Sequence, residues 1–507
     1  MSGSFSALER GEVASSPSVT SLAELGATAT PEWLLAHAMS PVVDTQSERV
    51  RLLVTNASDE ADVCELECAT GTHFLVEQTS HDVVERAIEN FRRLTSGDDA
   101  NPLIVSQDDE AGADTRGLAS QPPVIRYVNL MVREAVAMQA SDIHLEVHRN
   151  GLSARFRIDG VLSDGPAPPA GMHGAVVSRC KLLSGLDIAE KRRPQDGRIR
   201  MRLADSELDL RVSTVPTLHG ESVVIRLLDR GSRPVALAAL GMPVAALNAL
   251  ESIIKRPQGL VLVTGPTGSG KTTTLYAALA HRNNGAEKLI TVEDPVEYQI
   301  AGVTQVPVHQ GTGVSFAAAL RAILRQDPDV LLIGELRDAE TASVAIQAAM
   351  TGHLVLATLH TNDAISAFPR LLDLGVPEFL LVDTVSAVVA QRLVRRICEQ
   401  CAEPVTVTHE DRRWLDSMQI RDDVVGSMRG VGCGACRGTG FRGRIGIFET
   451  VVPTEEFRRR VSAGSTHAEL LECARSTTSY GSLAADGITK VMAGVTTFDE
   501  VRRVAVI

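Results

Sequence analysis

The run Gly265-Pro-Thr-Gly-Ser-Gly-Lys-Thr272 carries the most specific chemistry in this 507-residue sequence. It matches G-x-x-x-x-G-K-[ST] and follows the apolar stretch Leu260–Thr264, the strand–loop–helix setting that the motif requires. Gly265, Gly268 and Gly270 allow tight turns that aim backbone N–H groups at phosphates, and Pro266, Thr267 and Ser269 complete the loop. A helix opening at Lys271 adds its positive N-terminal end. Lys271 is placed to reach the β- and γ-phosphates of ATP, and Thr272 to bind Mg²⁺, with Thr273 next to it.

Such a loop binds nucleotide; hydrolysis needs acids and cations around it. DPDVLLIGELRDAETA (Asp327–Ala342) puts Glu335 at the end of an apolar strand, where a Walker B acid acts through Mg²⁺ or its water shell. The preceding residue is Gly334 rather than a second acid, so the motif is atypical. TVEDPVEY (Thr291–Tyr298) puts Glu293, Asp294 and Glu297 at another strand end, where a carboxylate can polarise the attacking water. TGHLVLATLHTNDA (Thr351–Ala364) supplies His360 after its strand as a γ-phosphate sensor; His353, before the strand, reads as structural.

Four of the eight cysteines form two CxxC pairs, Cys398/Cys401 and Cys433/Cys436, spaced C-x2-C-x31-C-x2-C. Two such knuckles supply four thiolates in a tetrahedron, which reads as a closed, structural zinc site. Arg395, Arg396, Arg437, Arg442 and Arg444 flank them and favour the thiolate form. The alternative is a redox pair or unmetallated thiols. Cys64, Cys68, Cys180 and Cys473 are expected to be buried thiols.

These residues need elements to hold them. GLVLVT, KLITVED, DVLLIGE and HLVLATLH are continuous aliphatic runs alternating with helical segments, as in a buried parallel sheet. Upstream, residues 141–229 read mostly as strands, with a hairpin turning at Asn150-Gly151 and further strands in RIRMRL, LDLRVSTV and SVVIRLLD. Helices are expected over Val83–Leu94 and about Val124–Met138. Residues 96–122 are acidic and rich in Gly, Ser and Pro, which reads as a linker.

The first 120 residues hold 21 acidic against 7 basic residues, and the first lysine is Lys181. The remainder is close to neutral, which disfavours general nucleic-acid binding. The acidic segment is either a solvated surface or a docking domain for a basic partner. Aromatics are only 3% of the chain, so aliphatic side chains must fill the cores. No apolar run is long enough to span a bilayer, and the first residues lack a secretion signal, so the expectation is a cytoplasmic protein.

The motifs together resemble the secretion ATPase superfamily that drives type II secretion and type IV pilus assembly. The P-loop, EDPVE, RQDPD-x5-GE-x-RD-x-ETA and TGH-x6-HTNDA resemble its Walker A, Asp box, Walker B and His box in order. ASDIHLE, RIDG, RRPQDGRI and LRVSTVPTLHGESVVIRLLD look like its second N-terminal domain, and GCGACRGTGFRGRIGIFE like its metal-binding segment. The resemblance covers about residues 122–500.

Composition reads residues 1–20 as a disordered start and 98–122 as an acidic linker, and the resemblance implies an α/β chain with an N-terminal docking domain (21–97) between them. A PAS-like α/β domain (123–229), a hinge (230–238) and a RecA-like P-loop ATPase domain (239–507) with a zinc-binding insertion (395–446) would follow. Gly231 and Pro234 suit the hinge. The resemblance implies that Arg211 and Arg226 close on the γ-phosphate from the smaller domain and that Arg321 adds a contact from the ATPase domain. Arg198 reads as structural. Glu297 is the first choice for positioning water and Glu293 the second. The implied assembly is a homo-hexamer at the bacterial inner membrane. Its N-terminal domain would bind the cytoplasmic domain of a platform protein, its ring would face a polytopic platform protein, and it would drive pseudopilus assembly for type II secretion. The alternatives are a type IV pilus assembly ATPase, a DNA-uptake or conjugation motor, and a nucleotide-switch scaffold.

Overall fold

The structure is a computed structural model. It describes residues 34, 36–43, 50–55, 60–70, 74–81, 83–84, 87–88, 122–168, 171–203, 206–229, 234–308, 315–418, 426–476 and 480–505. The expected disordered start and nearly all of the acidic linker lie outside these residues. The chain divides into two units, 1–104 and 105–507.

In the first unit, β1 (Met39–Val43) pairs antiparallel with β2 (Val50–Val54). The helix Glu60–Thr70 then crosses to β3 (Leu75–Gln78), which lies parallel to β2. Leu34, Met39, Leu52, Val54, Leu66, Phe74, Val84 and Ile88 form its core. Of the helix expected over Val83–Leu94, residues 83, 84, 87 and 88 are described and are helical. Cys64 is exposed, not buried as expected. It lies about 200° around its helix from the core residue Leu66, on the polar face. Cys180 and Cys473 are buried.

The second unit holds two large sheets. The first is antiparallel: β4 (Asp142–His148), β5 (Gly151–Ile158), β6 (Val161–Asp164), β7 (Gln195–Leu203), β8 (Ser206–Thr217) and β9 (Gly220–Asp229), in the order β6-β5-β4-β9-β8-β7. The β4–β5 hairpin turns at Asn150-Gly151 as the sequence suggests. The helices Pro122–Ala137 and His173–Leu183 pack together and against this sheet, burying Val124, Val128, Met131 and Val176 with Ile143, Leu145 and Phe156.

The second sheet contains β10 (Gly259–Thr264), β11 (Leu289–Glu293), β12 (Val303–Pro307), β13 (Val330–Ile333), β14 (Leu354–Leu359) and β15 (Val385–Ile397). After the short antiparallel pair β16 (Ala402–Thr406) and β17 (Gly426–Gly430), β18 (Phe441–Val451) completes it. The order is β12-β11-β13-β14-β10-β15-β18, parallel except for β15–β18. β10, β11, β13 and β14 are buried along their whole length. Apolar clusters cover both faces, which is why these strands read as unbroken aliphatic runs instead of alternating. Among the described residues, no helix is long and apolar enough to cross a membrane.

Candidate functional site

The phosphate loop forms where β10 ends and the helix Lys271–Arg282 begins. A Cβ on Gly265 would stand 2.6 Å from the Gln391 carbonyl oxygen, so the loop can pass β15 only as glycine. Gly270, in the left-handed conformation, caps the helix whose first residue is Lys271. Lys271 Nζ folds back onto the carbonyls of Gly265 (2.8 Å) and Pro266 (3.0 Å). Burial pushes its pKa down to about 8, against the pull of Glu335 and with added repulsion from Arg392.

The loop opens into a cleft of about 1020 Å³. One wall is the ATPase sheet: Pro266–Thr273, Glu293, Glu297, Glu335, Arg337, His360 and Arg392. The facing wall is one rung of the antiparallel sheet. Register places Arg157, Asp142, Arg226, Arg211 and Arg198 directly opposite one another across β5, β4, β9, β8 and β7. Residues so paired point to one face, and Arg157, Asp142, Arg226 and Arg211 line the cleft. Arg226 Nε donates to Asp142 Oδ1 at 3.0 Å, and Arg157 Nε lies 3.8 Å from Asp142 Oδ2. Arg211 reaches across: its Nη2 donates to the Val296 carbonyl (3.1 Å) and lies 3.7 Å from Glu297 Oε2. Burial lowers its pKa, Glu297 opposes this, and Arg198 and Arg226 add repulsion.

The acids fall into distinct environments. Glu293 is buried and fully engaged, accepting from Tyr276 Oη, Thr291 Oγ1 (2.5 Å) and Gln305 Nε2 (3.2 Å). Burial still raises its pKa despite these donors. Glu297 sits at the cleft with its Oε2 free of hydrogen bonds. Glu335 is held at both oxygens, by His360 Nε2 (3.0 Å) and Arg337 Nε (2.6 Å). Gly334 precedes it because β11 passes close by: a Cβ there would come 3.3 Å from the Val292 carbonyl oxygen and 3.4 Å from the Glu293 Cα. An acid at 334 has no room without a shift.

The structure therefore brings Arg211, Arg226, Lys271, Glu293, Glu297, Glu335 and His360 to one cleft. Arg321 is not among the residues that line it; it pairs with Glu340 at 2.6 Å, both side chains exposed. His353 bonds to the Ala348 carbonyl at 2.9 Å, in keeping with a structural role. Sequence reading missed Arg157, Asp142, Arg337 and Arg392. The first three lie inside quoted motifs, but their place needs strand register; Arg392 sits mid-strand without a motif.

Away from this cleft, the four cysteines of the CxxC pairs converge, with all four Sγ atoms within 4.8 Å of one another. Cys398–Cys433, Cys401–Cys436 and Cys433–Cys436 are 3.8, 3.7 and 3.7 Å apart. The edge of a tetrahedron with metal–sulfur bonds of about 2.3 Å is about 3.8 Å. The backbone N–H groups of Cys433 and Gly440 donate to Cys436 Sγ, and that of Gly432 to Cys401 Sγ, which favours thiolates. The residues fit a four-thiolate metal site.

A P-loop NTPase whose cleft is walled by the arginines of a second sheet is the class that this fold and site define. The profile of the family described as "Type II/IV secretion system protein" matches residues 118–503. The type II secretion system protein HxcR of Pseudomonas aeruginosa is 50% identical over 382 residues, covering 75% of this chain and 77% of its own. The type II secretion system protein E of Dickeya dadantii is 40% identical and covers 92% of this chain and 97% of its own. The type II secretion system ATPase E of Vibrio cholerae is 45% identical over 75% of each. Among solved structures, the ATPase DotB of Yersinia pseudotuberculosis superposes with a TM-score of 0.57 at 20% identity, covering 80% of this chain and 98% of its own. The pilus retraction motor PilT, solved with bound ADP, gives 0.51 at 26% identity, covering 74% and 95%. This chain belongs to the type II/IV secretion system protein family, and it is an ATP-hydrolysing ATPase of type II secretion with the RecA-like fold of these motors.

A lysine of pKa about 8 is cationic below that pH and neutral above it. Phosphate binding needs the cation, so ATP affinity is expected to weaken as pH rises through about 8, and Lys271→Arg is expected to flatten that dependence; titrations with a fluorescent ATP analogue across this range check it. Metal analysis of purified protein is expected to find about one metal ion per chain, lost in Cys433→Ser.

Proposed function

We propose that this chain is the hexameric motor that converts ATP hydrolysis into pseudopilus assembly and protein export, docked through partner proteins on the cytoplasmic face of the bacterial inner membrane. The observation that carries this reading is the contact of Arg211, on the antiparallel sheet, with Glu297 and Val296 across the cleft into which the phosphate loop opens. A site built from two sheets opens and closes when one moves against the other, and that motion is the work stroke.

Lys271 holds the β- and γ-phosphates, and the loop N–H groups cradle them. Thr272 and Glu335 would hold Mg²⁺, which supplies charge neutralisation at the phosphates when bound. Glu297 orients the attacking water. Its Oε2 accepts no hydrogen bond and faces only the Arg211 guanidinium at 3.7 Å, whereas Glu293 is committed to three donors and serves to fix the Asp-box strand end. Arg211 and Arg226 stabilise charge on the γ-phosphoryl group as it departs. His360 keeps Glu335 in place and registers the γ-phosphate. Once hydrolysis removes that charge, the arginine wall loses its counter-charge and the cleft opens; the expected hinge (230–238) lies in part outside the described residues.

The antiparallel-sheet domain we read as PAS-like, and the four-thiolate cluster as a structural zinc site. The first unit is the candidate for docking on the cytoplasmic domain of a platform protein, consistent with the acidic balance of the first 120 residues. The ring itself would face a polytopic platform protein. Names of the relatives favour type II secretion over pilus assembly.

Assays on purified oligomer test the roles. Lys271→Ala is expected to abolish hydrolysis, and equal rates would sink the enzyme reading. Glu297→Gln is expected to lower kcat about 100-fold with ATP binding retained, and Glu293→Gln to act through stability more than through turnover at a given folded fraction. The reverse order would exchange their roles.

A further inference from the structure

The loop that leaves β14 carries His360 and then runs sideways over the sheet. β14, β10, β15 and β18 are neighbours in that order, and one rung reads Leu359, Thr264, Ala390, Glu449 across them. The residues after His360 are tied down strand by strand, by Thr264 and Glu449 on this rung and by Arg392, two residues beyond Ala390 on β15. On β10, the fully buried Thr264 accepts the Thr361 N–H at its Oγ1 (2.9 Å) and sits 2.6 Å from Thr361 Oγ1. Thr361 in turn donates its hydroxyl to the Asp363 carbonyl at 2.8 Å. On β15, Arg392 donates to the Asn362 carbonyl at 2.7 Å. On β18, the buried Glu449 accepts the Ala364 N–H at 2.9 Å.

A hydroxyl, a guanidinium and a carboxylate are buried here at a cost that apolar residues would not incur. All three hold the backbone of one four-residue stretch, while Arg392 also donates to its neighbour's carbonyl at Gln391 and Glu449 also accepts from the Leu483 backbone. That stretch begins one residue after His360, whose Nε2 meets Glu335 at 3.0 Å.

We propose that Thr264, Arg392 and Glu449 are positioning residues for hydrolysis: together they strap the loop across the sheet so that His360 keeps Glu335 in its working geometry. Thr264 matters doubly, because it immediately precedes the phosphate loop; its hydroxyl links the start of that loop to the residue after His360. The proposal rests on the reading of His360 and Glu335 as parts of the hydrolytic site.

The test is a double-mutant cycle on the full-length oligomer, measuring kcat and the KM for ATP. Thr264→Val is expected to lower kcat about ten-fold with KM changed less than about two-fold, and Thr264→Ser to restore it. In a His360→Ala background, the further loss from Thr264→Val is expected to vanish, because its route of action is already gone. Glu449→Ala is expected to behave as Thr264→Val does, and Glu449→Gln, which keeps an acceptor oxygen, to recover most of the activity. Should Thr264→Val fail to fold, as judged by thermal unfolding, the Glu449 pair carries the same cycle. A rise in KM at unchanged kcat, or equal losses in both backgrounds, would overturn the proposal. His360→Ala with wild-type kcat is a different outcome: it removes the reading of His360 itself, and the strap's role in hydrolysis with it.

Discussion

The site depends on one electrostatic arrangement: four arginines on a single rung of an antiparallel sheet, with Asp142 as the one acid among them. Like charges held side by side repel, and Arg211 shows the cost, its pKa lowered by burial and by Arg198 and Arg226. Asp142 relieves Arg226 and Arg157, and Glu297 relieves Arg211 from across the cleft. A polyphosphate offers this wall far more counter-charge than one glutamate. Bound nucleotide therefore favours the closed arrangement, and loss of the γ-phosphate weakens it. The proposed coupling of chemistry to motion rests on that balance.

The opposite wall is the more densely bonded of the two. Glu335 pairs with Arg337 at one oxygen and lies 3.0 Å from His360 at the other, and Glu293 accepts from three donors. The P-loop is wedged against β15 at Gly265, and the His360 loop is tied to three strands. In the proposed work stroke these bonded acids are the reference frame for in-line transfer and the arginine wall is the part that moves.

Local chemistry was legible in the sequence because its signals are local. The phosphate loop, the aliphatic strands and the paired CxxC knuckles each occupy a short contiguous span with its own pattern. What escaped depends on register between strands distant in sequence. Arg157 and Asp142 lie in recognisable motifs, yet only pairing of β4 with β5 and β9 sets them beside Arg226. Arg392 carries no motif and Glu449 only closes the metal-binding segment; their contact with the His360 loop follows from the order of four strands. Helix phase misled the reading of Cys64, since a thiol follows whichever face its helix turns inward. Spacing alone left Glu293 and Glu297 equivalent; the donors around Glu293 separate them.

The central claim is that the antiparallel sheet completes the hydrolytic site. Single-turnover hydrolysis at saturating ATP tests it most directly, comparing Arg211→Ala with Arg198→Ala. The two arginines are partners on the same rung, but only Arg211 lines the cleft. The account expects Arg211→Ala to slow hydrolysis by about ten-fold or more with nucleotide affinity largely retained, and Arg198→Ala to stay within about two-fold of wild type. Equal rates for the two variants would contradict it.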